Sequence, residues 1–120
     1  MGDSVQIQLR KGVLEMCVLA LLAQEDGYAY DIASRLAEEI GMGEGTIYPL
    51  MRRMQADGLV KTYLAESSSG PPRKYYQLTK AGHAALASQK TEWSAFTTAV
   101  ARVLEGRPPA STTRTAGANR

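Results

Sequence analysis

The 120-residue sequence has little of the chemistry that enzymes and metalloproteins need. It contains one cysteine, Cys17, and one histidine, His83, so no internal disulfide can form and neither residue has a partner for a metal or nucleophile site. No paired acid and base is arranged for catalysis either. We therefore expect no cofactor, no metal site and no catalytic residue, and we expect Cys17, on an apolar helix, to pack in the interior.

Long apolar runs are also missing. The longest, residues 13–23, is interrupted by Glu15 and falls short of the roughly 20 residues that span a bilayer. Residues 1–10 have neither the apolar core nor the small-residue cleavage site of an export signal. The sequence therefore predicts a cytoplasmic protein that has no membrane partner.

The composition, 44% hydrophobic and 22% charged, predicts one globular domain. The charge is distributed unevenly along it. Residues 12–43 hold one base and six acids, a net charge of −5, whereas residues 44–80 hold six bases and three acids, a net charge of +3. The basic middle is the candidate surface for a polyanion, although a solvated helix face has the same composition.

Two helices are predicted in the first third of the chain, after a polar N-terminal arm at residues 1–9. In residues 12–23, apolar side chains cover nearly every side of a helix, so a second chain is a natural cover for it. After a turn at residues 24–27, apolar residues recur at helical spacing up to Ile40. Three glycines then favour a tight turn: Gly41, Gly43 and Gly45.

A third helix is predicted to follow and to end at Gly58. Its apolar stripe recurs at steps of three and four and consists of Ile47, Leu50, Met51 and Met54. Since Pro49 lacks an amide proton, it is tolerated best in a first helical turn, and we expect the regular helix to start late or to bend there.

The last third of the chain predicts a hairpin and a long helix. Residues 59–64 and 73–78 have strand composition and are joined by a tip rich in serine, glycine and proline, which we expect to be mobile. Thr79 can cap the last helix, where Leu86, Trp93 and Val100 repeat every seven residues beside Phe96 and Val103. Residues 106–120 lack any apolar period and are predicted to be a disordered tail.

This order of elements is that of a winged helix-turn-helix, mainly α with a small β-hairpin, followed by a C-terminal helix for dimerisation. Residues 10–78 form the predicted DNA-binding domain and residues 79–105 the dimerisation helix. In this geometry the third helix enters the major groove of DNA and the hairpin, the wing, touches the backbone. Tyr48 and Arg52 lie on the helix face away from the apolar stripe, while Arg73 and Lys74 open the second strand of the wing, where alternation sends them to opposite faces.

Three motifs in order resemble the PadR family of bacterial transcriptional regulators. They are GTIYPLMRRM at residues 45–54, DGLV at 57–60 and PRKYYQLTKAG at 72–82. The similarity extends from about residue 10 to residue 104, and the single short last helix resembles the compact subfamily. The resemblance implies a cytoplasmic homodimer, usually a repressor, that binds a roughly palindromic double-stranded operator. The family's DNA-binding positions map onto Thr46, Tyr48, Pro49, Arg52, Arg53, Arg73 and Lys74.

The resemblance also suggests a ligand site in the last helix. Some compact family members place a tryptophan there, and the two copies sandwich a planar aromatic compound across the dimer. Trp93 and Phe96 are the corresponding candidates for an effector site, and the predicted dimerisation residues are Leu86, Trp93, Phe96, Val100 and Leu104. The wing tip has two prolines after Gly70 where the family often has a polar residue, so tip contact with DNA stays open. The alternative function is a winged helix that binds a partner protein without sequence-specific DNA binding.

Overall fold

The computed structural model describes the backbone of residues 5–108 and the side chains of residues 13–108. The fold is mainly helical with one small sheet, which confirms the predicted winged-helix class. The elements are α1 (Val5–Gln24), β1 (Gly27–Tyr28), α2 (Ala29–Ile40), α3 (Glu44–Ala56), β2 (Val60–Ala65), β3 (Arg73–Leu78) and α4 (Lys80–Glu105). None of these helices is long and apolar enough to cross a membrane.

Helix α1 begins earlier than the sequence indicated. It starts at Val5 and continues through Gly12, so the expectation that residues 1–9 form an arm outside the helix is wrong for residues 5–9. A glycine inside a helix costs only about 1 kcal/mol, and the neighbouring glutamine, leucine, arginine and lysine are good helix formers. Residues 1–4 of the predicted arm lie outside the described part of the chain. Residues 109–120 of the predicted disordered tail lie outside it as well.

The core lies where α1, α2 and α3 meet the sheet. Its fully buried members include Leu14, Val18 and Leu19 from α1 and Ile47 and Met51 from α3. Another set of α1 side chains is only half-buried: Met16, Cys17, Ala20 and Leu21. The apolar helix is therefore covered by its own chain on one side and only partly on the other.

Helix α3 ends as its sequence predicts but begins earlier than expected. Gly58 adopts a φ of +80°, and the N–H groups of Gly58 and Leu59 donate to the carbonyls of Gln55 and Met54, which is a Schellman termination. The helix starts at Glu44, so the expected late start before Pro49 is wrong. Pro49 lies on the exposed face, where water can reach the carbonyl of Gly45 that the missing amide leaves without a donor.

The sheet has three strands, one more than the predicted hairpin. β3 lies in the centre and pairs antiparallel with β2 on one side and with the two-residue β1 on the other. In this register Tyr75 is opposite both Tyr28 of β1 and Tyr63 of β2, while Tyr76 is on the reverse face and is buried in the core.

Thr79 joins the wing to α4 as predicted. Its Oγ1 accepts the N–H of Gly82 at 3.0 Å and donates to the Gly58 carbonyl at 2.7 Å, and its own N–H donates to the carbonyl of Leu59. Gly82 must be a glycine here, since a Cβ would overlap the Leu59 carbonyl oxygen. The start of α4 is therefore fixed to the turn between α3 and β2.

The chain divides into two compact units within α4. The first ends at Ala87, so it extends past the expected boundary at Leu78, and the second begins at Ser88. Leu86 is only 8% exposed and belongs to the core of the first unit.

Candidate nucleic-acid interface

The exposed face of α3 is the first part of the candidate interface. Ile47, Met51 and Met54 bury one side of the helix completely, so the residues halfway round the helix must face solvent. Arg52 lies on that solvent side, and within residues 13–108 it forms no ion pair. A planar guanidinium free of an acidic partner can donate to guanine or to phosphate oxygens.

Arg53 has a different environment from its neighbour. Its Nη2 lies 2.8 Å from Oε1 of Glu15 in α1, and its Nε lies 3.9 Å from the carboxylate of Asp57. Thr46 and Pro49 line a shallow groove against α1 together with Arg53 and Glu15. Three of the predicted DNA-binding residues therefore lie along the α1 side of the helix, and one of them is already ion-paired.

Tyr48 lies on the opposite edge of α3, toward the sheet. Partial burial raises the pKa of its phenol, and the nearby Glu44 carboxylate adds to that rise, as do Tyr30, Tyr28 and Tyr76. The hydroxyl therefore keeps its proton and remains a hydrogen-bond donor.

The wing presents its two basic residues on opposite faces, as alternation predicts. The guanidinium carbon of Arg73 lies 4.6 Å from the ring centroid of Tyr28, and Nζ of Lys74 lies 5.7 Å from that of Tyr76. Since Tyr76 is a core residue, Lys74 is on the sheet face that packs toward the helices and Arg73 is on the outer face.

A row of tyrosines on the outer face was not predicted from the sequence. The rings of Tyr63 and Tyr75 stack at 5.8 Å, those of Tyr75 and Tyr28 lie 5.7 Å apart, and Tyr30 continues the row at 6.4 Å from Tyr28. Alternation had indicated only that one of the two adjacent tyrosines of β3 is buried. The pairing of β2 with β3 places Tyr63 beside Tyr75, and the pairing of β1 with β3 adds Tyr28.

The predicted dimerisation residues differ in exposure. Trp93 is 45% exposed, Phe96 63%, Val100 37% and Leu104 80%, whereas Leu86 is covered by its own chain. The four exposed residues recur at steps of three, four and seven, so they form one apolar stripe along the second unit. Solvent exposure of such a stripe is unusual unless another surface covers it.

Metal-binding side chains are not clustered in the described part of the chain. No group of three histidine, cysteine, aspartate or glutamate side chains in residues 13–108 is placed to hold a metal ion. Burial raises the pKa of the Cys17 thiol, which disfavours the reactive thiolate.

Residues 18–88, more than half of the chain, match the family described as Transcriptional regulator PadR-like. The chain belongs to this family. The predicted membership is thereby confirmed, and with it a role in transcription regulation instead of enzyme catalysis. Assignment to the compact subfamily stays a prediction.

Solved PadR-like structures resemble the chain over most of its length. A PadR-like transcriptional regulator from Bacillus cereus is 40% identical, covers 83% of this chain and 99% of its own, and superposes with a TM-score of 0.76. A PadR-like transcription factor from Bacteroides fragilis is 41% identical, with coverage of 84% and 99% and a TM-score of 0.67. Bacillus subtilis PadR, solved in complex with operator DNA, is 27% identical, with coverage of 64% of this chain and 46% of its own and a TM-score of 0.58.

Proposed function

We propose that this PadR-like regulator is a cytoplasmic homodimeric repressor that binds a roughly palindromic operator. The observation that carries the operator binding is Arg52, which is exposed opposite the buried stripe of α3 and forms no ion pair within residues 13–108. An arginine in this position can reach base edges when the helix enters the major groove. The operator complex of Bacillus subtilis PadR supports the same use of the fold.

The remaining interface residues take different roles in this proposal. Lys74 and Arg73 contact phosphates from the wing, and Tyr48 donates its phenol proton to a phosphate. Thr46 and Pro49 border the groove beside α1 and approach the backbone there. Arg53 keeps its bond to Glu15 and holds α3 against α1, so its expected contact with DNA is the weakest of the set.

Dimerisation rests on two apolar surfaces that one chain leaves open. One is the exposed stripe of Trp93, Phe96, Val100 and Leu104, and the other is the half-buried side of α1. A second copy supplies matching surfaces of both kinds, since a two-fold interface is self-complementary. Two recognition helices would then read half-sites about one helical turn, near 34 Å, apart.

The proposed effector is a planar aromatic molecule. Trp93 and Phe96 lie one helical turn apart and are both exposed, so paired copies can form an apolar slot between two protomers. Stacking and burial favour a polycyclic compound over a small phenolic acid. To move the DNA-competent population from 99:1 to 1:99, the ligand must prefer one state by about 5.5 kcal/mol.

A gel-shift titration against the promoter nearest the protein's own gene tests the proposal. If each protomer neutralises about four phosphates, log K falls with log salt at a slope of about −7. Competition with unrelated DNA of equal length measures sequence preference. Equal affinity for both DNAs would contradict the operator proposal and favour the alternative, a winged helix that binds a partner protein.

A further inference from the structure

The two basic residues of the wing are adjacent in sequence but rest on different tyrosines. Arg73 lies over Tyr28, which belongs to β1 and immediately precedes α2, and Lys74 lies over Tyr76, which belongs to the same strand as itself. Tyr28 is opposite Tyr75 in the register, so Arg73 reaches it along the cross-strand diagonal. The position of the Arg73 guanidinium therefore depends on a different element of the fold.

Tyr28 is held by its contact with the neighbouring strand β3 and by hydrogen bonds that anchor the residue two positions before it. Its ring packs against Tyr75, which stacks on Tyr63. The carboxylate of Asp26, two residues before Tyr28, accepts the Tyr63 hydroxyl at 2.6 Å and the side-chain amide of Gln77 at 3.3 Å. This hydrogen bond raises the pKa of the Tyr63 phenol, as burial and the Asp26 and Tyr75 charges also do. The β1 segment is thus tied to β2 and β3.

The guanidinium of Arg73 is exposed and forms no ion pair within residues 13–108. A guanidinium that packs on a ring through its flat face keeps the N–H groups at its edge available for a phosphate. Stacking also restricts a long side chain before it binds, which lowers the entropy lost on binding.

We propose that Tyr28 is a positioning residue for Arg73, holding the guanidinium over its ring on the outer face of the wing so that the N–H groups donate to a DNA phosphate. This inference rests on the proposed operator binding. Tyr28 then contributes to operator binding without contacting DNA. Arg73 is a phosphate ligand whose side chain is ordered before binding, whereas Lys74 contributes a point charge.

A double-mutant cycle on operator affinity tests the inference. Tyr28→Leu should weaken binding about 3- to 10-fold, the range expected from losing ring contact and preordering of one arginine. In an Arg73→Ala background the same substitution should cost nothing further, because there is no guanidinium left to position. Tyr28→Phe should keep wild-type affinity, since the ring face and not the hydroxyl carries the contact.

Lys74 is the matched control, being the neighbouring cation on the opposite face. Tyr28→Leu and Lys74→Ala should have additive effects. The salt dependence separates contact from positioning: Arg73→Ala should lower the slope by about one for each protomer, whereas Tyr28→Leu should leave it unchanged. Thermal unfolding of each variant checks that the fold is retained.

The outcomes distinguish failure of the positioning role of Tyr28 from failure of the proposed operator binding. Additive effects of the Tyr28 and Arg73 substitutions, in a wild-type protein that selects its operator, overturn the positioning role alone. A wild-type protein with no operator preference overturns both.

A measurement without DNA covers the case in which Tyr28→Leu does not fold. The ring current of Tyr28 should shift the Arg73 δ protons upfield in the NMR spectrum of the free wild-type protein and of Tyr28→Phe. Arg73 δ protons at their unstructured chemical shift in the wild-type protein refute the stacking on which the inference depends.

Discussion

The two adjacent arginines of α3 should behave oppositely when each is replaced by alanine. Arg52 is exposed and has no acidic partner among the described residues, whereas Arg53 is bonded to Glu15 at 2.8 Å. Both substitutions remove one positive charge from the same helix turn, so both lower the long-range attraction to DNA by a similar amount. A difference in affinity between the two variants therefore reports direct contacts with DNA.

The expected sizes follow from the two environments. If Arg52 reads a base, Arg52→Ala costs about 1–3 kcal/mol of operator affinity and narrows the preference for operator over unrelated DNA. Arg53→Ala costs about 0.5 kcal/mol of operator affinity, since the guanidinium is already compensated by a carboxylate. Arg53→Ala also affects the fold, because loss of an ion pair whose side chains are 60% and 26% exposed costs about 0.2–1 kcal/mol of unfolding free energy.

Fluorescence anisotropy with labelled operator and unrelated duplexes measures both affinities at several salt concentrations. Urea unfolding of the same preparations gives the free energy of unfolding. The reasoning fails if Arg53→Ala weakens and relaxes operator binding as much as Arg52→Ala does. It fails equally if Arg52→Ala leaves the ratio of operator to unrelated affinity unchanged.

Three further substitutions probe the rest of the chain. Gly82→Ala should destabilise the fold by about 1–3 kcal/mol in urea unfolding, because the added Cβ meets a backbone carbonyl, although alanine is the better helix former at an open site. The control is Ala84→Gly, at an exposed position of α4, which should cost only about 1 kcal/mol. Equal losses of unfolding free energy in the two variants would contradict the steric argument. Val100→Asp should convert the proposed dimer to a monomer in light scattering, while Ala95→Asp, on the other side of α4, should leave the oligomeric state of the wild-type protein unchanged. A dimeric Val100→Asp protein would place the interface elsewhere. Planar cationic dyes should quench the indole fluorescence of the wild-type protein, since Trp93 is the one tryptophan of the sequence. Trp93→Ala should abolish operator release by these dyes, and release at unchanged dye concentration would leave Trp93 as packing alone.

Local sequence patterns were sufficient to predict the main elements of the fold. The apolar stripe of α3, the two long strands of the wing and the cap at Thr79 depend on local spacing or on a single side chain. The structure confirms the strands and the cap, and it buries three of the four predicted stripe residues, whereas Leu50 is only half-buried. The helix bounds were less accurate, because continuation of α1 through Gly12 depends on the summed propensity of its neighbours and not on that one residue.

Features that depend on distant pairs could not be predicted from local patterns. β1 has only two residues, too few for alternation to be visible, and it exists because β3 offers it an edge. The bond between Arg53 and Glu15 joins positions 38 residues apart, so composition gives no sign of it. The seven-residue repeat predicted an apolar stripe on α4, but it does not indicate which surface covers each residue of the stripe. Leu86 is buried by its own chain, whereas the later residues of the stripe are exposed.

The central position of β3 has a consequence for how the wing can vary. β3 is paired with β2 along all six of its residues and with β1 at Tyr75 and Tyr76, so its register is set by these strands and does not depend on the tip that joins β2 to β3. A doubling of loop length costs only about 0.6 kcal/mol of closure entropy. The tip at residues 66–72 can therefore be exchanged, lengthened or made basic, as a separate module, while Arg73 and Lys74 keep their places on the sheet.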